Sequence, residues 1–183
     1  MATSTCSLLR GVAAAAALAT TAVAAPSHAA TAAKPSHADE LYLQTAIEGD
    51  RFEVAGGKIA QQRGATAGVK QYGARLVKDH TKSLGESVTL AKKLGIKVPT
   101  APSPSMQWEL QTLTSFTGKD FDQHYADLEA MDHQQDISEA ADEVHNGTSA
   151  DVRQAASKEI PTLKAHLSIA RKLGGHRAKD PGA

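Results

Sequence analysis

The stretch FDQHYADLEAMDHQQDISEAADEV, residues 121–144, decides how this chain folds. Phe121, Tyr125, Ala126, Ile137, Ala140 and Val144 recur at helical spacing, so a helix from about Lys119 to His145 gathers them on one face. Glu129 and His133 stand one turn apart on that same face, where a core should be apolar. Carboxylates and imidazoles are costly to bury unless they are paired, protonated or metal-bound.

The same conflict recurs in three other helical patterns. One runs from about Asp39, read as an N-cap, to Arg63, with Leu43, Ile47, Val54 and Gln61 on one face. Asp50 falls at the centre of that face, Glu53 on its flank, and Gly64 is the stop. The next, about Thr66 to Leu94, lines up Val69, Tyr72, Gly73, Leu76, Leu84, Ala91 and Leu94, with His80 within about 20° of the middle of the stripe. The last, about Ser149 to Leu173, turns Val152, Ala156, Ile160, Leu163, Leu167 and Ala170 inward together with Glu159 and His166. Pro161 interrupts its hydrogen-bond ladder and predicts a kink. Tyr42, Tyr72 and Trp108 read as packing residues, His124 and His145 as solvated ones. Asn146-Gly147-Thr148 fits a glycosylation acceptor, but at the end of a helix it reads as a turn.

Turns at Gly64 and at Asn146-Gly147 are tight, whereas Gly95 to Gly118 is a connection of more than about 20 residues, broken by Pro99 to Pro104 and holding a short helix over about Ser105 to Leu113. Two antiparallel helix pairs joined by a long crossover form the connectivity of a ferritin-like four-helix bundle, an all-α fold. At 1.5 Å per residue, such a crossover brings Asp50, Glu53, His80, Glu129, His133, Glu159 and His166 within about 10 Å of one axial level.

Four regions are expected: a secretory signal over residues 1–25, a flexible linker over 26–38, the helical domain over 39–175 and a polar tail over 176–183. The signal rests on Arg10, an apolar run from Val12 to Ala19 and small residues at Ala22-Val23-Ala24. That run is shorter than the ~20 residues a bilayer core requires, so the mature chain is expected to carry no transmembrane segment and to be periplasmic or secreted. Pro-Ser-His-Ala occurs at 26 and again at 35 in the linker, whose His28 and His37 read as solvated. Cys6 is the single cysteine and falls within the signal, so any metal is left to histidine, carboxylate and water. The formal net charge is zero with both signs interspersed, which gives no footprint for nucleic acid.

Catalytic motifs are absent. A ferritin-type site needs Glu-x-x-His on two helices, but the residues three before His80, His133 and His166 are Val77, Ala130 and Leu163. No Gly-x-Ser-x-Gly elbow or phosphate loop occurs either, so the residues argue against an enzyme.

The strings Gly49-Asp50-Arg51-Phe52-Glu53-Val54, Leu76-Val77-Lys78-Asp79-His80-Thr81, Phe121-Asp122-Gln123-His124-Tyr125, Asp132-His133-Gln134 and Ile160-Pro161-Thr162-Leu163-Lys164-Ala165-His166-Leu167 resemble a bacterial family of exported, ferritin-like helical proteins. Its members are catalogued as a domain of unknown function and often named putative outer-membrane or periplasmic proteins. The resemblance spans about Asp39 to Leu173 and implies that Glu53, His80, His133 and His166 occupy positions that the family fills with those residue types. Two functions follow. The first is a non-enzymatic module of the cell envelope or of stress protection, in which these side chains form a buried hydrogen-bond network. The second is a metal-binding or redox-protective bundle, in which Glu53, His80, His133 and His166 hold a divalent iron, zinc or manganese ion, supported by Asp50, Glu129 and Glu159. A cell-envelope protein or a second copy of the chain would be the partner.

Overall fold

A computed structural model describes residues 1–2 and 34–174. The expected signal beyond its first two residues, the linker as far as residue 33 and the tail lie outside the described residues, Cys6 and His28 among them. The described chain forms α1 (His37–Arg63), α2 (Ala67–Leu94), α3 (Pro104–Leu113), α4 (Gly118–Asn146) and α5 (Ala150–Lys172), with no strand among the described residues. No helix among the described residues is long and apolar enough to cross a membrane.

Helix boundaries follow local chemistry. Thr66, Ser103 and Ser149 each accept a hydrogen bond from a backbone N–H of the first turn they precede, and Gly95 ends α2 in the left-handed conformation at φ 72°. The N-cap of α1 is Ser36 rather than Asp39. Ser36 Oγ accepts from the Asp39 N–H while the Asp39 carboxylate accepts from the Ser36 N–H. Asp39 thus closes a capping box from inside the first turn.

The same carboxylate reaches across the molecule. Asp39 accepts from the Thr148 N–H at 2.8 Å, the Thr148 hydroxyl and the Ser149 N–H at 3.1 Å, all in the turn between α4 and α5. At the other end Asp122, near the start of α4, accepts from the N–H groups of Ala65 and Thr66 at 2.8 and 2.9 Å, in the turn between α1 and α2. Each tight turn is therefore capped by a carboxylate from the beginning of the other helix pair, and the two turns sit at opposite ends. α1 packs on α2 and α4 on α5, with further contacts from α1 to α4 and from α2 to α5, so packed neighbours among these four are antiparallel. α3 lies on α1 and α4 within the long connection.

Buried apolar side chains occupy both ends. Tyr72, Leu76, Phe121, Tyr125 and Leu167 form a cluster toward the α1–α2 turn, while Leu43, Ile47, Ala91 and Ile96 form another toward the opposite end. On α1 the buried face takes in Phe52, Gly56, Gly57 and Ala60, whereas Val54 is half-buried and Gln61 exposed, contrary to the stripe expected for this helix. Close approach of two backbones explains the rotation: a Cβ added at Gly57 would stand 2.6 Å from the Gly73 carbonyl oxygen, and one at Gly73 equally close to that of Gly57. Helices α1 and α2 can meet this closely only where both residues lack side chains.

Two other apolar residues depart from expectation. Val144 is exposed, because α4 turns Ala140 and Glu143 inward near its end. Trp108 is 68% exposed and packs little, since α3 buries only Leu113. Helix α5 runs on through Pro161, whose ring is on the exposed side.

Two stability predictions follow from this frame. Asp39→Ala leaves buried N–H groups in two elements without their charged acceptor, and urea denaturation should register a loss of about 3 kcal/mol. A change below about 0.5 kcal/mol would mean that the turn is held by something else. Gly73→Ala should cost about 1–3 kcal/mol through the backbone clash, whereas Gly85→Ala, which meets no atom within 4 Å, should stabilise the protein by up to about 1 kcal/mol.

Candidate metal centre

Between the two apolar ends, four helices lend polar side chains to one level of the core. Antiparallel packing with capped ends places the middle of α1 (Asp50, Glu53) beside the middle of α2 (Asp79, His80), α4 (Glu129, Asp132, His133) and α5 (Glu159, His166). His80, His133 and His166 are all buried, and one ring nitrogen of each lies within 4.8 Å of the others.

Each imidazole is oriented by an oxygen. His80 Nδ1 lies 2.9 Å from Asp50 Oδ1, His133 Nδ1 lies 2.9 Å from the Glu129 carbonyl oxygen, and His166 Nε2 lies 3.0 Å from Asp79 Oδ2. In the tautomer that donates an N–H to each of these oxygens, the other ring nitrogen presents a lone pair toward the neighbouring rings. Those remaining nitrogens are His133 Nε2 and His166 Nδ1, within hydrogen-bond distance of each other at 3.2 Å, and His80 Nε2, which is buried with no hydrogen-bond partner among the described residues. Two lone pairs at that distance repel unless a proton or a cation lies between them.

A second set of donors touches the same ring from its outer side. His133 Nδ1 is 3.7 Å from Glu53 Oε1 and 3.6 Å from Glu129 Oε2. The oxygens of Glu53, Glu129 Oε2 and Asp132 Oδ2 are buried against one another, close enough for a protonated carboxyl to donate to its neighbour, and Asp50 Oδ2 is buried as well. His133 is thus common to a three-histidine group and to a group made with Glu53 and Glu129.

Burial dominates the electrostatics. It pushes the Asp50 carboxyl and the Glu129 carboxyl up to about 8, and holds Glu53 well above the usual carboxylate range with the help of the neighbouring Glu129 and Asp132 charges. It pushes the imidazoles of His80 and His166 down to about 4 and that of His133 well below the usual range. Neutral imidazoles with free lone pairs are the form in which histidine binds a metal.

The centre is open on one side. A cleft of about 960 Å³ runs between α2 and α5 to Asp50 and His80, and Asp79, Ser83 and Glu159 line its inner wall. Glu159 accepts a hydrogen bond from the Ser83 hydroxyl at 2.6 Å.

The structure brings His80, His133 and His166 into one group, with Asp50 behind His80 and the Glu129 backbone behind His133. Glu53 instead stands with Glu129 on the other side of His133, and Glu159 lines the cleft. His124 is exposed and stacks on Phe116 at 3.6 Å between ring centroids; His37 and His145 are exposed as expected. Reading the residues missed Asp79, Asp132 and Asp136. Asp79 and Asp132 each precede a core histidine, and adjacent helix residues point in different directions, so Asp79 serves His166 on the next helix rather than His80 beside it.

No curated protein and no solved structure matches the chain. A family model described as a domain of unknown function, DUF4142, matches residues 24–173, well over half of the sequence. The chain belongs to that family.

Proposed function

We propose that this protein is an exported, ferritin-like helical protein that holds a divalent first-row metal ion at His80, His133 and His166. One observation carries the reading: each of three buried imidazoles has one nitrogen within hydrogen-bond reach of an oxygen, which turns its remaining nitrogen toward the other two rings. Metal-binding histidines are held in this way, and three of them leave a coordination position for water or another ligand. Imidazole and carboxylate donors without a thiolate suit zinc, iron or manganese. An ion bound there would supply positive charge to a level of the core that is rich in carboxyl oxygens and has no buried lysine or arginine among the described residues.

A hydrogen-bond network without metal accounts less well for the same atoms. Leaving a buried donor or acceptor unsatisfied costs about 1–3 kcal/mol, and among the described residues His80 Nε2 is in that state. Ferritin-like architecture is supported by the two antiparallel pairs, the long connection and the carboxylate caps at opposite ends. Export is supported by the amino-terminal charge and hydropathy pattern.

Elemental analysis of protein purified from its native compartment tests the reading. About one metal ion per chain should survive dialysis, a chelator should remove it, and His80→Ala and His133→Ala should each abolish it. Saturating metal at ~1,000 Kd should add about 4 kcal/mol of stability to the wild type and none to either variant. The same sample should begin between Ala25 and Thr31 on amino-terminal sequencing. Metal-free wild type whose melting ignores both chelator and added ions would refute the assignment.

Proton linkage gives an independent measurement. The raised carboxyls, Asp50 and Glu129, stabilise the metal-free fold fully below their unfolded values and lose that contribution as pH rises through about 8. His80 and His166 act in the opposite sense: their contribution is complete above 6.5 and is lost as pH falls toward about 4. Metal-free protein should therefore be most stable in mildly acidic buffer and weaken toward alkaline pH. A cation displaces the carboxyl protons, so apparent affinity should rise between about pH 6 and 9, with proton release on binding. Calorimetry in two buffers of different ionisation heat reads both quantities, and an affinity that stays flat or falls with pH would contradict the scheme.

A further inference from the structure

The cleft between α2 and α5 has a feature that close packing does not explain. Gly49, in α1 on the cleft floor beside Asp50, is buried, yet a Cβ added to it would meet no atom within 4 Å. Interiors are packed so that an extra methyl group nearly always touches something, so this space is kept open. Ala46, Gly49, Gly85, Ser87 and Ala155 are small residues along its walls.

Carboxyl groups lead from the mouth to the floor. Three of the four lysines and arginines that line the cleft are matched, Lys93 with Asp151 at 2.7 Å, Lys82 with Glu86 at 3.5 Å and Arg75 with Asp79 of the inner wall at 3.4 Å, while Lys158 is exposed. Farther in, Glu159 and Asp136 line the cleft with no cation paired to either among the described residues. At the floor Asp50 is 5% exposed, its Oδ1 holds His80, and its Oδ2 lies near the Ser83 hydroxyl, which donates to Glu159 instead. A hydrated cation moving inward would exchange water for carboxylate oxygens one at a time before it reached imidazole nitrogen, which spreads the cost of dehydration over several small steps.

We propose that the α2–α5 cleft is the passage by which a divalent cation enters and leaves the three-histidine centre, with Glu159 and then Asp50 as its carboxylate stations. This rests on the metal reading above and adds that the ion exchanges with solvent through a defined opening.

Cobalt(II) serves as the probe, because imidazole coordination gives it visible absorption bands. Stopped-flow mixing of metal-free protein with cobalt measures uptake, and mixing of the loaded protein with a chelator measures release. Gly49→Leu places a side chain on the floor, where its Cβ meets no atom within 4 Å, and should slow both processes at least about tenfold while leaving the equilibrium dissociation constant within about twofold, since a plug raises the barrier and not the depth of the site. Gly85→Trp, at the mouth and also clear of neighbours within 4 Å of its Cβ, should act in the same direction and serves if the floor variant is poorly folded. Glu159→Gln should slow uptake and flatten its dependence on salt. Wild-type rates in both glycine variants, with cobalt still bound, would overturn the passage and leave the metal centre standing. Failure of wild type to bind cobalt at all would overturn both.

Discussion

Two carboxylate caps hold this molecule in register. Asp39 and Asp122 each begin in the early part of one helix pair and end on the backbone N–H groups of the turn that closes the other. Free N–H groups at a helix start carry partial positive charge, so a carboxylate is their strongest protein partner, and burial strengthens the attraction further. Because the caps lie at opposite ends, neither pair can slide along the other by a turn without losing one of them. A one-turn slip would move a side chain by about 5.4 Å, more than the separation of the ring nitrogens of His80, His133 and His166. Axial precision at the centre is thus inherited from hydrogen bonds far from it.

Within the centre the donors form two chemical populations. Imidazoles are neutral and directed, each fixed by an oxygen behind it; the carboxyls of Glu53, Glu129 and Asp132 are crowded and protonated in part because they cannot all ionise side by side. His133 touches both populations, with one nitrogen toward His166 and the other toward Glu129 and Glu53. Charge introduced among the histidines is therefore felt by the carboxyls through a single ring, and proton loss there is the natural response.

Much of this was legible in the sequence because helical period and side-chain cost act locally. Phe121, Tyr125 and Ala126 mark the inner face of α4 by spacing alone, and Glu129 and His133 follow from being on that face. The inner face of α1 was misjudged by part of a turn, since Val54 and Gln61 fit an isolated helix while the Gly57–Gly73 crossing, which sets the true rotation, is a contact between two helices. Asp79 escaped for the same reason: its partner His166 is 87 residues away, and nothing in the local pattern distinguishes it from a solvated aspartate. Ser36 was passed over because Asp39 is itself a good capping residue, and the choice between them depends on Thr148 and Ser149.

Trp108, the single tryptophan, lies on the outside of α3 at 68% exposure, while Tyr72 and Tyr125 are buried beside the histidines. Indole emission from this protein accordingly arises from a solvated ring on the connecting segment and is red-shifted in the native state already. The optical signal most often used to follow unfolding is nearly blind to the core here, and phenol absorption and near-ultraviolet ellipticity carry that information instead.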